Sequence, residues 1–131
     1  MKFGARVFFL CGIYGLGLSA LFVLESKLGE WFPPAVNHPE FYYGFTGTVV
    51  ALHLLFFVVA KDPARYRALM PLFVLEKALF GGAMIWLHLA GRIGLFPWVY
   101  GGLCDLGWGV LFLISYLKIG TRAPEYGAAN A

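Results

Sequence analysis

The amino-acid sequence predicts an all-α membrane protein, an antiparallel bundle of four transmembrane helices, and three observations support this. The chain has 131 residues, of which 60% are hydrophobic and only 13% are charged, whereas about a quarter of the residues in soluble domains are charged. Four apolar segments follow one another, and about 20 helical residues cross the roughly 30 Å of hydrocarbon in a bilayer. Since two of the connections are short, we expect consecutive helices to be antiparallel neighbours.

The first predicted span covers residues 4–24. It follows Lys2, contains Arg6, and stays apolar as far as Leu24. A basic start with an apolar run is also typical of a signal peptide, but the apolar part here has about 18 residues, against roughly 7–15 in a signal core. No small-residue cleavage site follows, so the sequence favours an uncleaved membrane helix.

Residues 25–40 are predicted to form an external loop, because three prolines interrupt any continuous helix there. The remaining spans cover residues 41–60, 68–90 and 95–117, and residues 120–131 form a polar cytoplasmic tail. No span shows the strict alternation of a β-barrel strand.

The distribution of basic residues predicts the orientation. With the N-terminus in the cytoplasm, seven basic residues lie on the inner side and two, Lys27 and Arg92, on the outer side. This excess agrees with the positive-inside rule, so we expect both termini of a multi-pass inner-membrane protein to be cytoplasmic. The inner set is Lys2, Arg6, Lys61, Arg65, Arg67, Lys118 and Arg122.

Away from the ends of the predicted spans lie four ionisable residues, at depths where charge is costly and therefore needs a partner or a function. At a rise of 1.5 Å per residue, Glu76 lies about 12 Å and His53 about 10 Å from the inner ends of their spans. Asp105 lies near the centre of the fourth span, and Lys77 follows Glu76 directly. This level is the predicted site of any intramembrane chemistry.

Helix geometry predicts how these groups pair. Asp105 shares a helix face with Gly101 and Gly109, and small residues let a neighbouring helix approach closely. Glu76 and Lys77 point about 100° apart around their helix. We therefore expect Lys77 to pair with Asp105, while Glu76 addresses a different neighbour.

For that different neighbour, the sequence offers His53 or a separate polar contact. The Lys77–Asp105 pair has two possible roles. One is purely structural and fixes the register of the helices, and the other is functional, as a proton relay, an ion site or a headgroup anchor. Both interpretations stay open at this stage.

Two arginines of the 61–67 connection, Arg65 and Arg67, are predicted at the inner headgroups, where basic side chains anchor the topology or bind anionic lipid. Cys11 and Cys104 have no metal-binding spacing, so no metal and no cofactor are predicted. The small net charge of +3 comes from dispersed residues, which disfavours nucleic-acid binding.

Several short motifs lie in the second and third spans and in the connection between them. They are Phe41-Tyr42-Tyr43-Gly44-Phe45, Lys61-Asp62-Pro63-Ala64-Arg65-Tyr66-Arg67, Met70-Pro71 and Glu76-Lys77. These motifs resemble a family of small bacterial four-span membrane proteins of unknown function. The resemblance implies a bacterial inner-membrane protein and carries no chemistry. The four-span architecture is also similar to that of DoxX-like proteins.

Three functions are compatible with these features. The first is a bundle that binds a lipid-like or small apolar molecule or assists a larger membrane complex. Its expected partners are membrane lipids and either a second copy in a homodimer or that larger complex. The second is a proton-coupled small transporter acting as an oligomer. The third is a membrane enzyme acting on a lipid or quinone, with Glu76 and His53 as acid and base. A filled centre would favour a packing role, an apolar pocket closed to the outer face would favour lipid binding or catalysis, and a two-sided polar path would favour transport.

Overall fold

The computed structural model describes residues 2–31 and 37–120. Helices contain 87% of these residues, and none of them is in a strand. The helices are α1 (Lys2–Leu18), α2 (Leu21–Trp31), α3 (Pro39–Lys61), α4 (Met70–Leu89) and α5 (Tyr100–Ile119). One turn of 3-10 helix, Arg67–Leu69, precedes α4. A kinked turn, Leu95–Val99, precedes α5, and Phe96 within it has an extended backbone.

Three stretches, Pro39–Lys61, Arg67–Leu89 and Tyr100–Ile119, are helices long and apolar enough to cross a membrane. Taken together as one broken span, α1 and α2 are also long and apolar enough to cross a membrane, so the chain has up to four crossings. Large apolar side chains cover the outward faces of these helices, as lipid contact requires. Examples are Phe9, Leu10, Ile13, Leu72, Leu75, Leu79, Leu103, Val110 and Leu117. The chain is therefore a multi-pass membrane protein.

The first span differs from the predicted continuous helix over residues 4–24. The helix ends at Leu18, and α2 leaves at 63° to α1. At the break, the Ser19 hydroxyl donates to the Leu16 carbonyl over 2.5 Å, and such back-bonding by serine bends helices. Gly17, a weak helix former, lies just before the break.

The predicted loop over residues 25–40 also differs, because residues 25–31 belong to α2. Pro39 occupies the first turn of α3, where its missing N–H costs nothing. The other two prolines of that loop, Pro33 and Pro34, lie outside the described residues, as does the predicted tail beyond Gly120.

A cluster of four phenylalanines forms the centre of the core, one each from α1, α3, α4 and α5. All four are buried, and every pair of rings has its centroids between 4.4 and 6.3 Å apart. This cluster, called the Phe layer below, consists of Phe8, Phe56, Phe73 and Phe112. It fills the space between the helices at one level.

The helices form two close pairs, α1 with α3 and α4 with α5, joined by contacts of α1 with α5. The backbones of the consecutive helices α3 and α4 stay farther apart. They meet through aromatic side chains, such as Phe45 and Phe80, whose rings lie 5.6 Å apart. This separation leaves room between α3 and α4 on one side of the Phe layer.

Candidate functional site

A buried ion pair lies next to the Phe layer. Lys77 Nζ donates to Asp105 Oδ2 over 3.2 Å, as the helix faces predicted. The Lys77 side chain is only 1% exposed, and its ammonium lies 5.8 Å from the centre of the Phe56 ring. The pair therefore joins α4 to α5 directly at the edge of the aromatic core.

The expectation that Glu76 addresses a different neighbour is wrong. Glu76 Oε2 lies 3.3 Å from Lys77 Nζ, so the ammonium lies between two carboxylates. The two Cβ atoms do diverge, but the flexible four-carbon stem of lysine lets its charged end return toward Glu76. Although Oε2 lies close to the ammonium, it is buried and has no well-oriented hydrogen bond among the described residues.

His53 is 1% exposed and lies on α3. Its Nδ1 lies 2.6 Å from the carbonyl oxygen of Val49. Because a carbonyl can only accept, Nδ1 carries the proton and Nε2 of the neutral ring is an acceptor. This Nε2 is buried and lacks a hydrogen-bond partner in the described part of the chain.

Close backbone approach holds these polar side chains in place. A Cβ on Gly15 would overlap the His53 ring, and one on Gly109 would lie 3.2 Å from Lys77 Cβ. The predicted contact face on α5 needs one correction. Gly102 lies against Gly81, whereas a Cβ on Gly101 would meet nothing within 4 Å.

All four predicted polar residues line one cavity of about 300 Å³. The lining residues come from all five helices and the turn before α5, and apolar and aromatic side chains form most of the remaining wall. They include Leu18, Leu21, Leu28, Phe45, Val49, Phe80, Phe96 and Trp98. The structure thus brings Glu76, Lys77, His53 and Asp105 together at one apolar space, although the described residues contain no hydrogen bond between His53 and Glu76.

One feature of the site, the Phe layer, is absent from the sequence-based prediction, and Tyr14 adds a further polar side chain to the cavity wall. Tyr14 lines the cavity, and its ring lies 6.4 Å from His53 and 5.9 Å from Trp108. A signal for the Phe layer exists in the sequence. Each of its phenylalanines lies five or six residues from a basic residue at the predicted inner end of its span, which places all four at one depth.

The two arginines predicted at lipid headgroups differ in their surroundings. The Arg67 guanidinium donates from Nε to the Tyr116 carbonyl over 3.3 Å and lies 3.8 Å from the centre of the Tyr116 ring. Arg65 is exposed, and its backbone N–H donates to Asp62 Oδ1. Arg67 is thus occupied in fastening the α3–α4 connection to α5, while the Arg65 side chain remains available to lipid.

Metal coordination has no obvious place in this arrangement. Among the described residues, no group of three or more His, Cys, Asp or Glu side chains is placed to hold a metal ion. Cys11 is buried beside the Phe layer, whereas Cys104 is exposed on the outer face of α5.

Comparison with known proteins gives no relative from which to assign an activity. No family, no curated protein and no solved structure matches this chain. The function is therefore argued from the site alone.

Proposed function

We propose that this protein binds an amphiphilic small molecule within the membrane, with the apolar part in the cavity and the polar end at the charged residues. A cavity of about 300 Å³ lies at the lower end of the usual range for ligand sites, about 300–1,000 Å³. Such sites are mostly apolar with a few convergent polar groups. The observation that carries the proposal is this apolar cavity with the buried Lys77 and its two carboxylates in one wall.

Of the two alternative functions, transport has less support. Conduction of a proton or solute needs a polar path to both sides of the membrane. Here the Phe layer, with rings as close as 4.4 Å, occupies the centre of the bundle beside the polar residues. A cavity bounded in this way supports binding from one side.

An enzyme using Glu76 and His53 as acid and base also has less support. Acid–base partners must reach one substrate within hydrogen-bond distance. Glu76 instead lies 3.3 Å from Lys77, and the described residues contain no hydrogen bond between Glu76 and His53 that would couple them as acid and base. The binding function needs only the arrangement already present.

We further propose an antiparallel four-span bundle in a bacterial inner membrane, with both termini cytoplasmic. The N-terminus of α1 and the C-terminus of α5 lie at the same end, because Lys118 Nζ is 4.4 Å from the centre of the Phe3 ring. The α3–α4 connection joins that end through Arg67 and Tyr116. This end carries six of the nine Lys and Arg residues that the structure describes, which supports its placement on the cytoplasmic side.

Two glycines of α5 provide a matched test of cavity binding. Gly101 lines the cavity, whereas Gly107 is exposed on the same helix, and a Cβ at either position meets nothing within 4 Å. Gly101→Leu therefore fills the cavity without a backbone clash, and Gly107→Leu adds the same side chain toward lipid.

Each variant is purified in mild detergent, and bound molecules are identified by native mass spectrometry. We expect a small amphiphile on the wild-type protein and on Gly107→Leu, and its loss from Gly101→Leu. Equal retention by the two leucine variants would refute binding in this cavity.

A further inference from the structure

Three polar side chains around the cavity, those of Tyr42, Thr46 and His53, already use their donors within the protein. The Thr46 hydroxyl donates to the Tyr42 carbonyl over 2.8 Å, and the Tyr42 hydroxyl donates to the Leu21 carbonyl over 2.6 Å. His53 Nδ1 is likewise committed to the Val49 carbonyl. All three hydrogen bonds are made within the protein, so these side chains offer a ligand no free N–H or O–H group.

The ammonium of Lys77 also faces acceptors within the protein. Its ammonium lies 3.2 Å from Asp105 and 3.3 Å from Glu76, and the Phe56 ring lies 5.8 Å away. One ammonium is therefore shared between two carboxyl groups, and an anionic headgroup brought here would have to compete with both of them for it. Tyr14 does not distinguish a donating from an accepting headgroup, because a phenol can donate or accept a hydrogen bond.

The buried side-chain atoms of the site that lack a hydrogen bond among the described residues are acceptors. The two buried side-chain atoms without a hydrogen bond among the described residues are His53 Nε2 and Glu76 Oε2, and both side chains line the cavity. A buried polar atom without a partner is costly, and native proteins rarely leave one. A ligand that donates hydrogen bonds would satisfy both atoms.

We infer that the ligand of this cavity carries a hydrogen-bond-donating headgroup, a hydroxyl or an amine, on an apolar body. The inference rests on the proposed binding function and specifies its ligand class. It excludes headgroups that only accept, such as ethers, and permanently anionic ones, such as sulfates. His53 and Glu76 are the residues that select the donor.

The test uses brominated amphiphiles, because bromine quenches tryptophan fluorescence on contact. Trp98 lines the cavity, so it is kept as the single tryptophan by replacing Trp31, Trp86 and Trp108 with Phe. The full-length protein in lipid nanodiscs is titrated with ω-bromododecanol, ω-bromododecylamine, ω-bromododecyl methyl ether and ω-bromododecyl sulfate. The Gly101→Leu version, with its filled cavity, gives the quenching that comes from lipid alone, and Gly107→Leu is its control.

We expect the alcohol or the amine to reach half-maximal cavity quenching at a concentration about tenfold lower than the ether. One hydrogen bond to a charged or unpaired buried group changes an affinity by about this factor. The sulfate should bind more weakly still. An ether or a sulfate that binds as tightly as the alcohol and the amine would overturn the headgroup inference while leaving cavity binding intact. Quenching by all four probes that Gly101→Leu does not reduce would overturn the binding function itself.

Two variants connect the preference to the named acceptors. His53→Phe keeps an aromatic ring but removes Nε2, so the preference for alcohol over ether should fall severalfold, and His53→Gln, which restores an acceptor, should recover part of it. Glu76→Gln replaces one carboxylate oxygen with an amide donor, so binding of the ether and the sulfate should improve. Unchanged preferences in both His53→Phe and Glu76→Gln would contradict the assignment of these residues.

Discussion

At the residue scale, Lys77 shows what makes a charge tolerable inside a membrane bundle. A charged side chain in hydrocarbon is costly, and a buried ion pair offsets this cost only when its geometry is good. Lys77 has carboxylates at 3.2 and 3.3 Å, and its side chain is 1% exposed. Its stem packs beside Gly109 of α5, so the same residue sets both the charge balance and the approach of two helices.

Removing this ammonium should be strongly destabilising. Lys77→Met keeps the length of the side chain but leaves Glu76 and Asp105 facing each other without a counter-charge, and breaking one side of a buried pair costs about 3–5 kcal/mol. The loss is measured as a shift in unfolding by sodium dodecyl sulfate, followed by circular dichroism. Lys118→Met, at an exposed lysine, serves as the control and should change stability little.

The same measurement tests the pairing. Combined with Lys77→Met, Asp105→Asn should recover part of the lost stability, because it removes a carboxylate that no longer has its partner. The coupling free energy of such a double-mutant cycle is the evidence for contact. Strictly additive losses would contradict the Lys77–Asp105 pair.

At the element scale, the bundle depends on glycines at particular turns of α1 and α5. Gly15 lies directly under the His53 ring, and Gly81 lies against Gly102. Small residues at these positions let the helix backbones approach closely, which is the main source of attraction between helices in lipid. The break between α1 and α2 instead separates backbones, because α2 lies at 63° to α1. There, Leu21 and Leu28 become part of the cavity wall.

Two glycines of α1 should therefore respond differently to the same change. Gly15→Ala places a methyl group where the His53 ring lies, so we expect a loss of about 1–3 kcal/mol from overpacking. Gly17→Ala adds a methyl group in open space and should be neutral or stabilise by up to about 1 kcal/mol through helix propensity. Unfolding titrations of both variants make the comparison, and similar losses in the two would show that α1 and α3 do not meet at Gly15.

At the scale of the whole molecule, three levels follow one another along the bundle. A basic end contains Arg67 and Lys118, the Phe layer comes next, and the polar residues and cavity lie beyond it. This order follows from ring contacts of the basic residues with Phe3 and Tyr116 and from the 5.8 Å between Lys77 and Phe56. The protein is therefore polarised along its axis, with basic charge at one end and an apolar cavity toward the other.

The proposed orientation follows from this polarity and can be measured with single cysteines. In a background with Cys11 and Cys104 replaced by Ala, Lys61→Cys and Arg92→Cys are exposed to a membrane-impermeant maleimide in intact spheroplasts. We expect Arg92→Cys to react at once and Lys61→Cys to react only after permeabilisation, because the positive-inside rule holds the basic end in the cytoplasm. The reverse pattern would invert the topology and place the cavity toward the cytoplasm.

The sequence by itself determines the helical membrane class and the Lys77–Asp105 pair. Both follow from local rules, since hydropathy gives the spans and the 100° turn of a helix gives the faces. The basic residues also predict an orientation, which the labelling experiment addresses.

Only the tertiary structure decides what depends on distances between helices. The separation of the helices determines four features. They are the bend after Leu18, the contact of the Lys77 ammonium with Glu76, the Phe layer and the cavity itself. Those separations come from side chains of several helices packing at once, and no single stretch of sequence contains them. For the same reason, the two buried acceptors that lack a hydrogen bond among the described residues, His53 Nε2 and Glu76 Oε2, become visible only when the helices are assembled.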